Sequence, residues 1–101
     1  MKETQKSISD WANATFGSTG SNLRVAIRAN EELSELLQVL VKDDNDPKAI
    51  VEVADVIIVL MRLAERSGYN IEDEIDRKMA INRARQWVLD GSGCGHHKKE
   101  A

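Results

Sequence analysis

Between Ile50 and Leu63 nearly every helical position is apolar, yet Glu52 and Asp55 interrupt the run. A helix through this stretch carries aliphatic side chains around almost its whole circumference, centred on Ile57. It is therefore expected to be the central, buried helix. A carboxylate flanked by aliphatics is costly unless a cation meets it. Two constraints follow: other helices must cover this one, and something positive must reach Asp55. The positive group is an arginine, Arg28 or Arg62, or a metal ion.

The rest of the chain reads as helices of the same kind. Aromatic residues make up only 4%, there is a single proline, and the glycines fall outside the periodic segments. These features point away from a β-rich fold. The first helix is expected from a Ser7 or Ser9 cap to Phe16, ended by the Gly17–Ser21 breaker. The second runs from Asn22 to Lys42, with Leu23, Ile27, Asn30, Leu33, Leu37 and Leu40 forming its apolar stripe. Asp46-Pro47 starts the third, as an N-cap acid followed by proline, and Ser67-Gly68 ends it near Arg66. Asn70 is expected to cap the fourth, which should end near Leu89. The expected fold is all-α: a four-helix single domain over residues 1–90, forming an oligomeric helical bundle. Gly91 onward, almost free of apolar residues, reads as a flexible tail over residues 91–101.

The acids fall in pairs. Glu32-x-x-Glu35 lies on the second helix and Glu52-x-x-Asp55 on the third. A three-residue step puts both members of a pair on one side of a helix. The short Asp46-Pro47 connection lets the helices run antiparallel, so the pairs can face each other. Four converging carboxylates make the hard oxygen-ligand set that Mg²⁺ prefers. Glu31 adds a fifth acid, turned about 100° from Glu32. It reaches the metal, acts as a base, or faces solvent. A lone E-x-x-E is usually a solvated face; the second pair, set among aliphatics, raises the reading to a site.

Other features exclude function classes. Net charge is −3, with 17 acids against 14 bases and no basic stripe, so a nucleic-acid polymer is not an expected partner. The longest apolar stretch is too short and too interrupted to span a membrane, and the first residues lack the apolar core of a signal peptide. One cysteine, Cys94, forms no internal disulfide, which suits a reducing cytoplasm. Cys94, His96 and His97 sit in the Gly-rich tail and read as unstructured rather than as a zinc site.

A basic complement lies on the fourth helix: Lys78 and Asn82 one turn apart, then Arg83 and Arg85, with Trp87 beyond. Such groups hold phosphate and hydrogen-bond a base or sugar, although a dipole-matched helix end has the same composition. Arg28 stands one turn before Glu32, and Lys48 one turn before Glu52.

At these residues the chain resembles the MazG-like nucleoside triphosphate pyrophosphohydrolases, of the all-α NTP pyrophosphatase superfamily. The residues are Glu31-Glu32-Leu33-Ser34-Glu35, a spacer of sixteen, then Glu52-Val53-Ala54-Asp55. Lys78, Asn82, Arg85 and Trp87 complete the pattern in the fourth helix. The resemblance implies hydrolysis of a (deoxy)nucleoside triphosphate to monophosphate and pyrophosphate, in nucleotide-pool house-cleaning, with Mg²⁺ or alternatively Mn²⁺. It implies Glu32, Glu35, Glu52 and Asp55 as metal ligands and Glu31 and Glu35 as catalytic residues, with Glu31 an auxiliary ligand or a water-activating base. It implies Arg28, Lys78, Asn82 and Arg85 as substrate-binding, with Trp11 and Phe16 in the base pocket.

Two alternatives share these residues. A related pyrophosphatase would act on phosphoribosyl-ATP or dUTP, and a non-catalytic helical dimerisation module would use its acids for a structural ion or for nothing. A di-iron carboxylate bundle needs Glu-x-x-His pairs, which the helices lack. A homodimer or dimer of dimers is expected, because apolar surface at Leu36–Val41 and Ile57–Leu63 exceeds what one small chain covers.

Overall fold

The computed structural model describes residues 1–98. Among these, four helices account for most of the chain: α1 (Gln5–Phe16), α2 (Asn22–Lys42), α3 (Lys48–Arg66) and α4 (Ile71–Ala84). Residues Met1–Ile71 form one compact unit, and a second begins at Glu72. No helix among the described residues is long and apolar enough to cross a membrane.

Local chemistry sets each helix end. α1 starts one turn earlier than the serines suggest, because Thr4 and Ser7 form a reciprocal capping box. Ser21 caps α2, its side chain accepting from the Arg24 amide. Before α3, Asp46 Oδ1 accepts from the Lys48 amide at 2.9 Å, and Pro47 stands at the cap position itself. α3 closes as Ser67, Gly68 and Tyr69 amides turn back onto Leu63, Ala64 and Glu65 carbonyls.

α3 packs against both α1 and α2. The buried apolar side chains are Ile8 and Ala12 of α1 and Val25 and Ala29 of α2. Here the expected packing is corrected in two places. No residue of α3 is fully buried, and Ile57 is 46% exposed, so within one chain α3 is not the enclosed centre. The expected leucine stripe of α2 also faces outward, with Leu23 69% and Leu37 54% exposed. The face turned inward carries Val25, Ala29 and Glu32 instead. Both corrections have one cause. Periodicity identifies an apolar face but not what covers it, and this chain has more apolar face than neighbours to bury it.

Side chains of α3 tie down the α1–α2 loop. Arg62 Nη2 donates to Asn13 Oδ1 and to the Gly17 carbonyl, each at 3.0 Å. Arg66, one turn on, donates to Asn22 Oδ1 at 3.0 Å and to the Thr19 carbonyl. At the other end, buried Gln5 donates to Glu65 Oε1 and the Tyr69 carbonyl, and its Oε1 accepts from the Ile71 amide. Removing it leaves the Tyr69 carbonyl and the Ile71 amide without these partners. Gln5→Ala is therefore expected to destabilise the chain by about 2 kcal/mol, read as a lower urea midpoint at unchanged slope.

The second unit corrects the expected end of the fourth helix. α4 stops at Ala84 rather than near Leu89, and Trp87–Val88 pair antiparallel with His96–His97. Gly91 and Gly93 supply the positive φ values, 87° and 86°, of the intervening turn. The aromatic and β-branched Trp87-Val88 step favours a strand over a further helical turn, and the Trp87 indole donates back to the Asn82 carbonyl at 2.8 Å. The segment read as a tail thus carries a strand at His96–His97; residues 99–101 of it lie outside the described residues.

Candidate metal centre and nucleotide cavity

Antiparallel packing of α2 and α3 brings three of the expected acids together. One carboxylate oxygen each from Glu32, Glu52 and Asp55 lies within 4.8 Å of the others. Glu32 is buried, Glu52 and Asp55 half-buried. Burial pushes the Glu32 carboxyl above the ordinary carboxylate value. A shared hydrogen bond and repulsion from Glu35 push it further, repulsion from Asp55 adds to this, and Arg28 opposes the shift.

Arg28 forks between two acids. Its Nη2 pairs with Glu32, and its Nη1 donates to Glu31 Oε2 at 2.8 Å. Glu31 thus lies outside the three-carboxylate cluster and is more than half exposed, whereas Glu35 stands against Glu32. Neither arginine suggested for Asp55 takes that role: Arg28 goes to the glutamates and Arg62 to the α1–α2 loop.

The donor set fits a hard divalent cation. It is all carboxylate, it converges from two helices, and it carries more negative charge than Arg28 alone offsets. Glu52 Oε2 is moreover buried with no hydrogen-bond partner. A buried, unpartnered carboxylate oxygen is expensive, and an ion coordinated there would satisfy it.

Two members of the cluster, Glu32 and Asp55, line a cavity of about 480 Å³ formed by residues of the first unit. Glu32 and Asp55 stand at the acidic end, and Trp11, Phe16 and Arg62 line it too. Trp11 and Phe16 meet edge to face, with ring centroids 5.4 Å apart. Lys78, Asn82 and Arg85 belong to the second unit, where Lys78 and Asn82 share a side of α4. Sequence reasoning did not assign Arg24 and Arg62 to the cavity. The signal was present for Arg62: Asp55, Ile58, Val59 and Arg62 follow at steps that keep one side of α3 facing one way.

The MazG-like family model matches residues 27–98. A dATP/dGTP diphosphohydrolase of Salmonella phage PMBT28 is 33% identical over 96% of this chain. A dATP/dGTP diphosphohydrolase of cyanophage S-2L is 38% identical over 64% of it. The chain spans 31% of the first relative's length and 60% of the second's. Among solved structures, the cyanophage S-2L MazG-like pyrophosphohydrolase bound to dGDP and three catalytic Mn²⁺ ions per active site superposes with a TM-score of 0.76. That match has 28% identity and covers 96% of this chain and 91% of the other.

Proposed function

The chain belongs to the MazG-like family, and on that premise we propose that it hydrolyses purine deoxynucleoside triphosphates to the monophosphate and pyrophosphate. The observation that carries this reading is the Glu32–Glu52–Asp55 cluster at the acidic end of a cavity with an aromatic wall. The purine preference is supported by the dATP/dGTP specificity in the names of both relatives.

Glu32, Glu52 and Asp55, with Glu35 beside them, would hold Mg²⁺ or Mn²⁺. Bound there, the ion supplies charge neutralisation of the phosphates and a more acidic water. The chain's own residues do the rest. Arg28 holds Glu32 and Glu31 in place through its fork. Water oxygen bonds to the α-phosphorus, the bridging bond to the β-phosphate breaks, and pyrophosphate leaves. Glu35 or Glu31 takes the proton from that water. Trp11 and Phe16 would flank the base.

A homodimer or dimer of dimers is part of the proposal. It would cover Leu23, Ile27, Leu33 and Leu37, all exposed on one chain, and α3 with them. Light scattering at micromolar concentration should give a multiple of 11.3 kDa; a monomer would count against it. The reducing cytoplasm remains the proposed setting, supported by the exposed free thiol of Cys94.

The decisive measurement is pyrophosphate release from the four standard dNTPs with Mg²⁺ or Mn²⁺. Turnover should favour dATP and dGTP and stop with EDTA. A folded protein that releases no pyrophosphate from any of them would sink the reading.

A further inference from the structure

Arg62 is held in an unusual way for a cavity-lining arginine. Its Nη2 is fixed by two acceptors, Asn13 Oδ1 and the Gly17 carbonyl. Its Nε is buried and meets no acceptor. A guanidinium anchored at one nitrogen cannot swing away to find water at another. The buried Nε is closed to a ligand as it is to water, which leaves Nη1, bonded to nothing among the described residues and not enclosed, as the donor Arg62 presents to the cavity.

Position says what that ligand is. Arg62 lies seven residues after Asp55 on α3. That is two turns along the same side, about 10 Å away. Glu32 and Asp55 mark the phosphate end of the cavity, so Arg62 stands where the far end of a nucleotide would lie. Trp11 and Phe16 line the same cavity and offer ring faces to a base. An arginine donor beside a stacked base finds its best acceptor at purine N7, with O6 as a second in guanine. A pyrimidine ring has no N7.

We propose that Arg62 reads the base, its Nη1–H donating to N7 of a purine bound against Trp11 and Phe16. This rests on the nucleotide reading of the cavity, and it adds the group through which purines are chosen.

The test compares dGTP with 7-deaza-dGTP, in which N7 becomes C–H while the ring shape is kept. The native protein should show about a tenfold lower kcat/KM for the deaza substrate, the scale of one lost base contact. In Arg62→Lys the two substrates should converge, and dCTP turnover should fall less than dGTP turnover. Because Arg62 also anchors the α1–α2 loop, the comparison within the native protein carries the test even if the variant folds poorly. Equal turnover of dGTP and 7-deaza-dGTP by the native protein overturns the proposal. So does discrimination that persists unchanged in a folded Arg62→Lys. If no dNTP is cleaved, the hydrolase reading fails by itself, and calorimetry with Mn²⁺, dGMP and 7-deaza-dGMP decides this one. Weaker binding of the deaza compound supports Arg62; equal binding, or none, overturns it.

Discussion

Asp55→Asn is expected to lower kcat/KM for pyrophosphate release by more than about a hundredfold, the upper range for losing a group that only supports a metal ligand. The helices should be unchanged by circular dichroism. The amide keeps the shape of the carboxylate but removes its charge from a cluster where Glu32 and Glu52 oxygens lie within 4.8 Å. It is also the weaker ligand for a hard cation. Mutual repulsion among the acids falls at the same time, so the metal-free variant should melt no earlier than the native protein. Mn²⁺ affinity, by contrast, should drop. Lys42→Ala, at the exposed end of α2, serves as the control and should leave turnover intact. Near-native activity in Asp55→Asn would remove this residue from the metal centre, and loss of helicity would assign it a structural role.

The helices were legible in the sequence because their ends are written in local chemistry. Asn22 to Lys42 and the stop at Ser67-Gly68 emerged as read. Three of the four paired acids, Glu32, Glu52 and Asp55, also converge, since three-residue spacing and a short loop leave little freedom. The misread ends differ in cause: one was taken by a local cap, the other by a pairing ten residues along the chain. Thr4 captured the α1 start through its box with Ser7. Trp87-Val88 left helix for a strand once His96-His97 came within pairing reach.

What faces what was less legible. Leu23, Ile27, Leu33 and Leu37 have the stronger hydrophobic signal, yet Val25 and Ala29 are buried. Small side chains on α2 let α3 approach it closely, whereas the leucines need a surface that one copy does not supply. Glu32 joins the small residues on the inward face, which a stripe drawn through the leucines places outside. Arg62 was misjudged for a related reason. Weighed with Arg28 and a metal ion as a counter-ion for Asp55, it instead reaches Asn13 of α1 and the Gly17 carbonyl just beyond, partners 49 and 45 residues away in sequence. Long-range hydrogen bonds of this kind have no local pattern.

Glu32 gives the second large effect, because the metal should reverse the way its stability depends on pH. In the metal-free protein its folded pKa lies above the ordinary value, chiefly from burial. Between those two values the folded state binds the proton that the unfolded state has released. Stability from this group is therefore fully present below the unfolded value and lost as pH rises through the folded one. A divalent ion held by the same oxygens requires the carboxylate ionised, which depresses the folded pKa. The contribution then appears above the unfolded value and is lost as pH falls. Subtracting urea curves of Glu32→Gln from those of the native protein isolates the group. With EDTA the native protein should lose ground to the variant from mildly acidic to neutral pH. With Mn²⁺ at a hundred times its Kd it should gain about 2.7 kcal/mol at neutral pH, a gain the variant largely forfeits. Parallel pH profiles with and without metal would mean that Glu32 answers to Arg28 alone and that the ion, if any binds, sits elsewhere.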